Sequence, residues 1–206
     1  MSSTCKVEGC DNPIRTKGFC NKHYQQMLKY GEIRHGKYEP NEIIIYEDYA
    51  EMLLYNLSGQ EVARTLINIE DVSRVKDYHW YIDNYGYVNC KNKNGHYKLH
   101  RFVMDCPDDM VVDHINHNPL DNRRENLRVC TNMQNQWNKG ITKKNTSGIT
   151  GVYKEGNGWR ARIKVDGKTI QKRVKTKEEA IKLRQEWEDL YFKEFKYKNE
   201  GEDNNE

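Results

Sequence analysis

The sequence is short of apolar material. Only 36% of its residues are hydrophobic, its mean hydropathy is −1.05, and it has four phenylalanines against fourteen tyrosines. That is too little to build one large core from 206 residues, so small modules with added support are expected. No apolar run is long enough to span a bilayer, and Met1-Ser2-Ser3-Thr4 leads into Cys5 without a signal-peptide core. A membrane protein is excluded on this reading, and a cytoplasmic protein is expected. No internal repeat appears.

Net charge is also low, at +3, but its distribution is uneven. From Lys143 to Lys175 there are ten lysines and arginines, opposed only by Glu155 and Asp166. The tail carries Glu200, Glu202, Asp203 and Glu206. A local basic block of this kind is the footprint of a polyanion partner.

What cysteine there is divides into two groups. Cys90, Cys106 and Cys130 are scattered and read as reduced and half-buried. Cys5-x4-Cys10 followed by Cys20-x2-His23 has the spacing of a closed Cys3His zinc site, structural because four protein ligands leave no position for chemistry. A disulfide plus a spare thiol is the plain alternative, and His35 is a more distant substitute for the fourth ligand. Residues 23–30 read as a short helix stopped by Gly31.

From Glu42 the periodicity becomes that of strands: EIIIY, EMLLYNL and EVARTLI, then a helical turn in EDVSRVKDYHW and a hairpin about Asn94-Gly95. LHRFVM (99–104) reads as helical, MVVDHI and LRVCT as strands, and Thr131 with Gln134 as a capping box opening a helix that Gly140 stops. Residues 140–151 form a Gly/Ser/Thr-rich linker. In GWRARIKV, Trp159, Ala161, Ile163 and Val165 alternate with Arg160, Arg162 and Lys164; IQKRVKT is a further strand. Thr176 and Glu179 cap a helix predicted to run to about Lys196 on a stripe of Ala180, Leu183, Trp187, Leu190 and Tyr191.

The chemistry concentrates in VVDHINHNPLDNRREN (111–126). Phosphodiester hydrolysis needs an activated water, neutralised phosphate oxygens and help for the departing alkoxide. As strand neighbours, Asp113 and His114 point to opposite faces, so one can hold a hard cation while the other reaches water. Asn135, early in the capped helix, offers an amide oxygen as a second ligand, and so few protein donors suit magnesium.

DH at 113–114, Asn126 twelve residues past His114 and Asn135 nine further resemble the HNH endonucleases of the ββα-metal type, in particular the phage and intron-encoded homing branch. The resemblance implies that His114 is the general base, that Asp113 and Asn135 hold Mg2+ or Mn2+ rather than Zn2+, and that Asn126 pins the loop that orients His114. His100 and Arg101 are candidates for the scissile phosphate or leaving oxygen, and His117 for a loop histidine. SGITGVY, GWRARI, GK and KTKEEAIKLR in turn resemble the Apetala2-type DNA-binding domain, a three-stranded sheet on one helix. By that likeness Arg160, Arg162, Lys164, Lys172 and Arg173 would read double-stranded DNA in the major groove.

The expected fold is α+β and modular. A zinc-binding module (1–38) precedes a β-rich segment and HNH nuclease (39–139), a linker (140–151), the Apetala2-like domain (152–196) and an acidic, disordered tail (197–206). The expected activity is metal-dependent cleavage of DNA, by nicking because one centre is present per chain, leaving 5′-phosphate and 3′-hydroxyl ends. A DNA-binding regulator without catalysis is the rival reading.

Overall fold

The computed structural model describes residues 4–36, 39–93, 95–138, 145 and 147–197. It is a mixed helix and sheet structure of two compact units, Met1–Leu99 and His100–Glu206. The division falls between Leu99 and His100, whereas the sequence reading carried the β-rich segment and the nuclease together over 39–139.

The first unit opens with an irregular loop region that leads into helix α1 (Asn21–Tyr30). Gly31 ends α1 in the left-handed region, at φ 74°, and its N–H bonds Met27 O at 3.0 Å; an L side chain there would be strained. Two three-stranded antiparallel sheets follow. One is β1 (Ile43–Ile45), β2 (Ala50–Tyr55) and β3 (Glu61–Ile67); the other is β4 (Trp80–Ile82), β5 (Val88–Asn92) and β6 (Gly95–Lys98). Helix α2 (Ile69–Val75), longer than the single predicted turn, joins them. Met52, Leu54, Ile67, Val75, Trp80 and Val88 are among this unit's buried apolar side chains. Asn41 ties the two sheets: its Nδ2 donates to Leu53 O and Trp80 O at 2.7 and 2.9 Å, and its Oδ1 accepts from Trp80 N–H at 2.6 Å. In the hairpin Gly95 pairs with Asn92 and so is the first strand residue, not a turn residue; Asn94 lies outside the described residues.

Helix α3 (Leu99–Val103) leads into the second unit. Strands β7 (Val111–His114) and β8 (Leu127–Cys130) form an antiparallel pair with Asp113 opposite Arg128 and His114 opposite Leu127. A 3₁₀ turn, Arg124–Asn126, closes the intervening loop. Helix α4 (Asn132–Trp137) begins at the predicted capping box, with Thr131 and Gln134 exchanging both bonds, and packs on β7 and β8. Gly140, its expected stop, and half of the expected linker lie outside the described residues.

The chain then forms β9 (Val152–Glu155), β10 (Gly158–Val165) and β11 (Lys168–Val174), in the order β11-β10-β9, with helix α5 (Lys177–Tyr191) packed against the sheet. The core between them is Val152, Ala161 and Ala180, flanked by Ile149, Trp159, Val174, Ile181, Leu183 and Trp187. The Thr176/Glu179 capping box is formed.

Two expectations for α5 need correcting. Leu190 is 61% exposed and outside the apolar stripe, and buried Arg184 takes a place in it, donating to Arg162 O at 2.6 Å and pairing with Glu188 at 2.8 Å. The helix also ends at Tyr191, short of Lys196. Phe192 is buried and stacked on Trp137 with ring centroids 4.5 Å apart, and Lys193 takes a positive φ of 49° into a 3₁₀ turn, Lys193–Phe195. Anchoring of Phe192 outside the helix stripe explains the early stop. Of the expected acidic tail, residues 198–206 lie outside the described residues.

Candidate active site and metal centres

The antiparallel register of β7 and β8 sets the second unit's chemistry. Asp113 and His114 are both 7% exposed and end β7. Asp113 Oδ2 accepts from Arg128 Nε at 3.0 Å, Arg128 Nη2 at 2.7 Å and Asn138 Nδ2 at 2.8 Å. Asn138 also donates to His114 O at 3.2 Å. Among the described residues no hydrogen bond engages Asp113 Oδ1 or the Asn135 side-chain amide. These two oxygen donors, one carboxylate and one amide, stand on β7 and on the helix packed against it. They are hard donors that suit Mg2+ or Mn2+, so the residues present fit a small oxygen-liganded cation.

His114 faces a different set of groups. Its Nε2 lies 3.3 Å from Asn122 Oδ1, and its ring meets that of buried His100 edge to face at 5.1 Å. Burial pushes the His114 pKa below its ordinary value, against the Asn122 hydrogen bond and the Asp113 and Asp121 carboxylates, which act in the other direction. Burial thus favours the neutral imidazole, the state a general base needs.

The loop before β8 is fastened by Asn126. Its Nδ2 donates to Asp121 O at 2.8 Å, its Oδ1 accepts from Asn116 N–H at 3.0 Å, and its carbonyl accepts from Ile115 N–H at 2.8 Å. Buried Asp121 is paired with Arg123 through Nε and Nη2, both at 2.8 Å. His117 is a loop residue at φ 62° whose ring lies 5.0 Å from that of Tyr197. Arg101 donates to Met110 O at 2.6 Å, Pro107 O at 2.8 Å and Cys106 O at 3.4 Å, so its guanidinium holds the turn ahead of β7 instead of standing open for a phosphate.

Sequence reasoning missed Arg128 and Asn122, and gave Asn138 only a helix-buttressing role. The signal for Arg128 was present: pairing VVDH with LRVC antiparallel puts it across from Asp113. For Asn122 and Asn138 no spacing rule applies, since both reach the site through irregular backbone.

In the first unit Cys5, Cys10, Cys20 and His23 bring their ligand atoms within 4.8 Å of one another. Cys10 Sγ to Cys20 Sγ is 3.9 Å, Cys20 Sγ to His23 Nδ1 is 3.5 Å and Cys5 Sγ to His23 Nδ1 is 3.2 Å. A tetrahedral zinc ion, with Zn–S about 2.3 Å and Zn–N about 2.0 Å, requires separations of roughly 3.8 and 3.5 Å. Cys20 N–H donates to Cys5 Sγ at 3.3 Å and Asn12 Nδ2 to Cys10 Sγ at 3.5 Å, as thiolate ligands favour. His35 takes no part: its Nε2 bonds Pro40 O and its ring stacks on Tyr55 at 4.0 Å. A concavity of about 950 Å³ in this unit, lined by Tyr55, Tyr78, His79 and Tyr81 among others, holds none of the expected site residues.

On the C-terminal sheet, Arg160, Arg162 and Lys164 alternate with buried Ala161 and Ile163, and Trp159 packs toward the helix. The register puts Arg173 opposite Arg160, and Gln171 opposite Arg162, on the outer face. Lys172 stands opposite Ala161 and therefore projects from the other face, apart from the arginine row. Arg160 is bound to Glu155 through Nε at 2.7 Å and through Nη2.

Residues 99–137 match the family model described as HNH endonuclease, which supports a nuclease. An uncharacterized HNH endonuclease of Acanthamoeba polyphaga mimivirus is 34% identical over 116 residues, which is 53% of this chain and 60% of that protein. Protein 3.8 of Escherichia phage T7 is 39% identical over 64 residues, 30% of this chain and 53% of its own length. The chain thus spans less than two thirds of the curated relatives it matches. No solved structure matches it. Among the described residues no helix is long and apolar enough to cross a membrane.

Proposed function

We propose that this chain is a metal-dependent DNA endonuclease of the homing type. The observation that carries the reading is the pair Asp113 and His114 at the end of β7, with α4 packed on that strand, inside the segment that matches the HNH family. Asp113 Oδ1 and the Asn135 amide oxygen hold Mg2+ or Mn2+. When bound, the cation neutralises charge on the phosphate oxygens and favours departure of the 3′ alkoxide. Neutral His114 accepts a proton from the attacking water. His100, edge-on to that ring, is the candidate contact to the phosphate. Asn126 keeps the loop closed behind His114. One centre per chain makes a nick the elementary product.

The Cys3His cluster takes zinc and acts as the structural support for α1. The C-terminal sheet, with α5, is the Apetala2-like module, and its outer row Arg160, Arg162, Lys164 and Arg173 meets double-stranded DNA.

The test is incubation of the purified chain with supercoiled plasmid and Mg2+. Conversion to open circles, lost on chelation and in His114→Ala, is the expected result. Intact plasmid, with DNA binding retained, turns the assignment to a non-catalytic regulator.

A further inference from the structure

We infer that Asn122 is a positioning residue that fixes the proton of His114 on Nε2 and leaves the lone pair on Nδ1. Asn122 is 1% exposed and lies in the turn between the two strands. Its Nδ2 is 3.1 Å from Pro119 O, an atom that can only accept. The amide nitrogen therefore faces Pro119, and the amide oxygen is the atom 3.3 Å from His114 Nε2. That oxygen also can only accept, so the bond exists only if Nε2 carries the hydrogen. In a neutral imidazole the basic atom is then Nδ1.

The turn that presents Asn122 is itself over-determined. Asn118 O accepts from Asp121 N–H at 3.1 Å, and Asn118 Oδ1 accepts from Leu120 N–H at 3.1 Å. Asn126 holds Asp121 O from the other side. Asn126 thus acts on His114 at one remove, by shaping the turn, while Asn122 acts by direct contact. This division explains why the sequence places asparagines at 118, 122 and 126 together: one forms the turn, one contacts the imidazole and one closes the loop.

The catalytic consequence rests on the reading of His114 as general base, but the tautomer does not. The experiment uses the full-length, ¹⁵N-labelled chain and long-range ¹H–¹⁵N correlations of the imidazole at mildly alkaline pH, beside plasmid cleavage. Wild type is expected to show a protonated Nε2 and an unprotonated Nδ1 at His114. Asn122→Ala is expected to lose this signature and to cleave about 100-fold more slowly with DNA affinity unchanged, within the range a misoriented base commands. Asn122→Asp keeps an acceptor toward Nε2 but loses the donor to Pro119 O, and is expected to restore the tautomer and only part of the rate.

A proton on Nδ1 in the wild type, or an unaltered signature in Asn122→Ala, overturns the inference. If Asn122→Ala fails to fold, wild type and Asn122→Asp still decide, since both must carry Nε2–H. A wild-type chain that shows Nε2–H yet leaves plasmid uncut upholds the role of Asn122 and removes the nuclease reading instead.

Discussion

Arg128 and Asp113 face each other across β7 and β8, and the guanidinium grips one carboxylate oxygen from two of its nitrogens, Nε at 3.0 Å and Nη2 at 2.7 Å. Both side chains are nearly buried, at 14% and 8% exposure. Arg128 also lies against the Phe195 ring, 4.7 Å from its centroid, and donates to Glu194 O. The carboxylate expected to hold the cation is thereby held in one orientation, with its second oxygen turned away from the pair.

Removing the arginine leaves a buried carboxylate without its cationic partner. Arg128→Ala should therefore destabilise the second unit by about 3–5 kcal/mol, read as a lowered denaturant midpoint. Arg128→Lys should recover little of this, because an ammonium cannot reproduce a two-nitrogen contact in the plane of the carboxylate. A loss below 1 kcal/mol would show that the pair is solvent-screened.

This contact also marks how far the sequence could be read. Helix caps at Thr131 and Thr176, the strand alternation of Arg160 with Ala161, and the metal ligand spacing of Cys5 to His23 are local codes, and all are found in the structure. Arg128, Asn122 and Asn138 act across a register or an irregular turn, so nothing within a few residues of each one signals its partner. The same limit applies to the end of α5. Its apolar periodicity continues past Tyr191, but the stop comes from Phe192 packing on Trp137, a residue some fifty positions earlier. Lys172 shows the opposite case: pairing Val165 with Lys168 across the two-residue turn at Asp166-Gly167 would have put it opposite Ala161, on the helix side.

Asp121 supplies a pH dependence of known sign. Burial pushes its carboxyl up, but Arg123, with help from the Asn116 amide, outweighs burial and holds it below the usual carboxylate range. Its folded value is depressed, so its contribution to stability is complete above the unfolded value of about 3.9 and fades as pH falls through the folded one. Asp121→Asn should cost about 2 kcal/mol near neutrality, a charged hydrogen-bond pair, and the gap to wild type should close below about pH 4. Chemical denaturation of both proteins from neutral to acid pH measures it; a gap that persists undiminished in acid would refute the pairing.

The outer face of the C-terminal sheet makes an ordered set of predictions for DNA affinity. Arg162→Ala should weaken binding by about 1–3 kcal/mol if it reads a base, or lower the salt slope by about one if it contacts a phosphate. Lys172→Ala, on the other face, should change affinity by less than either. Glu155→Gln should strengthen binding, because Arg160 is then released from its ion pair. Fluorescence anisotropy with a labelled duplex over a range of salt separates these outcomes; equal effects at Arg162 and Lys172 would rule out the sheet face as the contact.

The last relation to test is that between Trp137, at the end of α4, and Phe192, just past α5. Their rings are stacked at 4.5 Å with only 10° between planes, and Arg184 lies 5.4 Å from the Phe192 ring centroid. If the nuclease helix and the C-terminal helix are coupled through this contact, the two residues must be non-additive. Phe192→Ala should cost several kcal/mol, in the range for a buried aromatic, half-buried Trp137→Ala should cost less, and the double variant should cost less than their sum by about 1 kcal/mol, the usual worth of an aromatic pair. Additive losses in a double-mutant cycle would mean that the two helices fold independently. A coupling of the expected size would mean that the end of α4 and the residue just past α5 are stabilised as one unit.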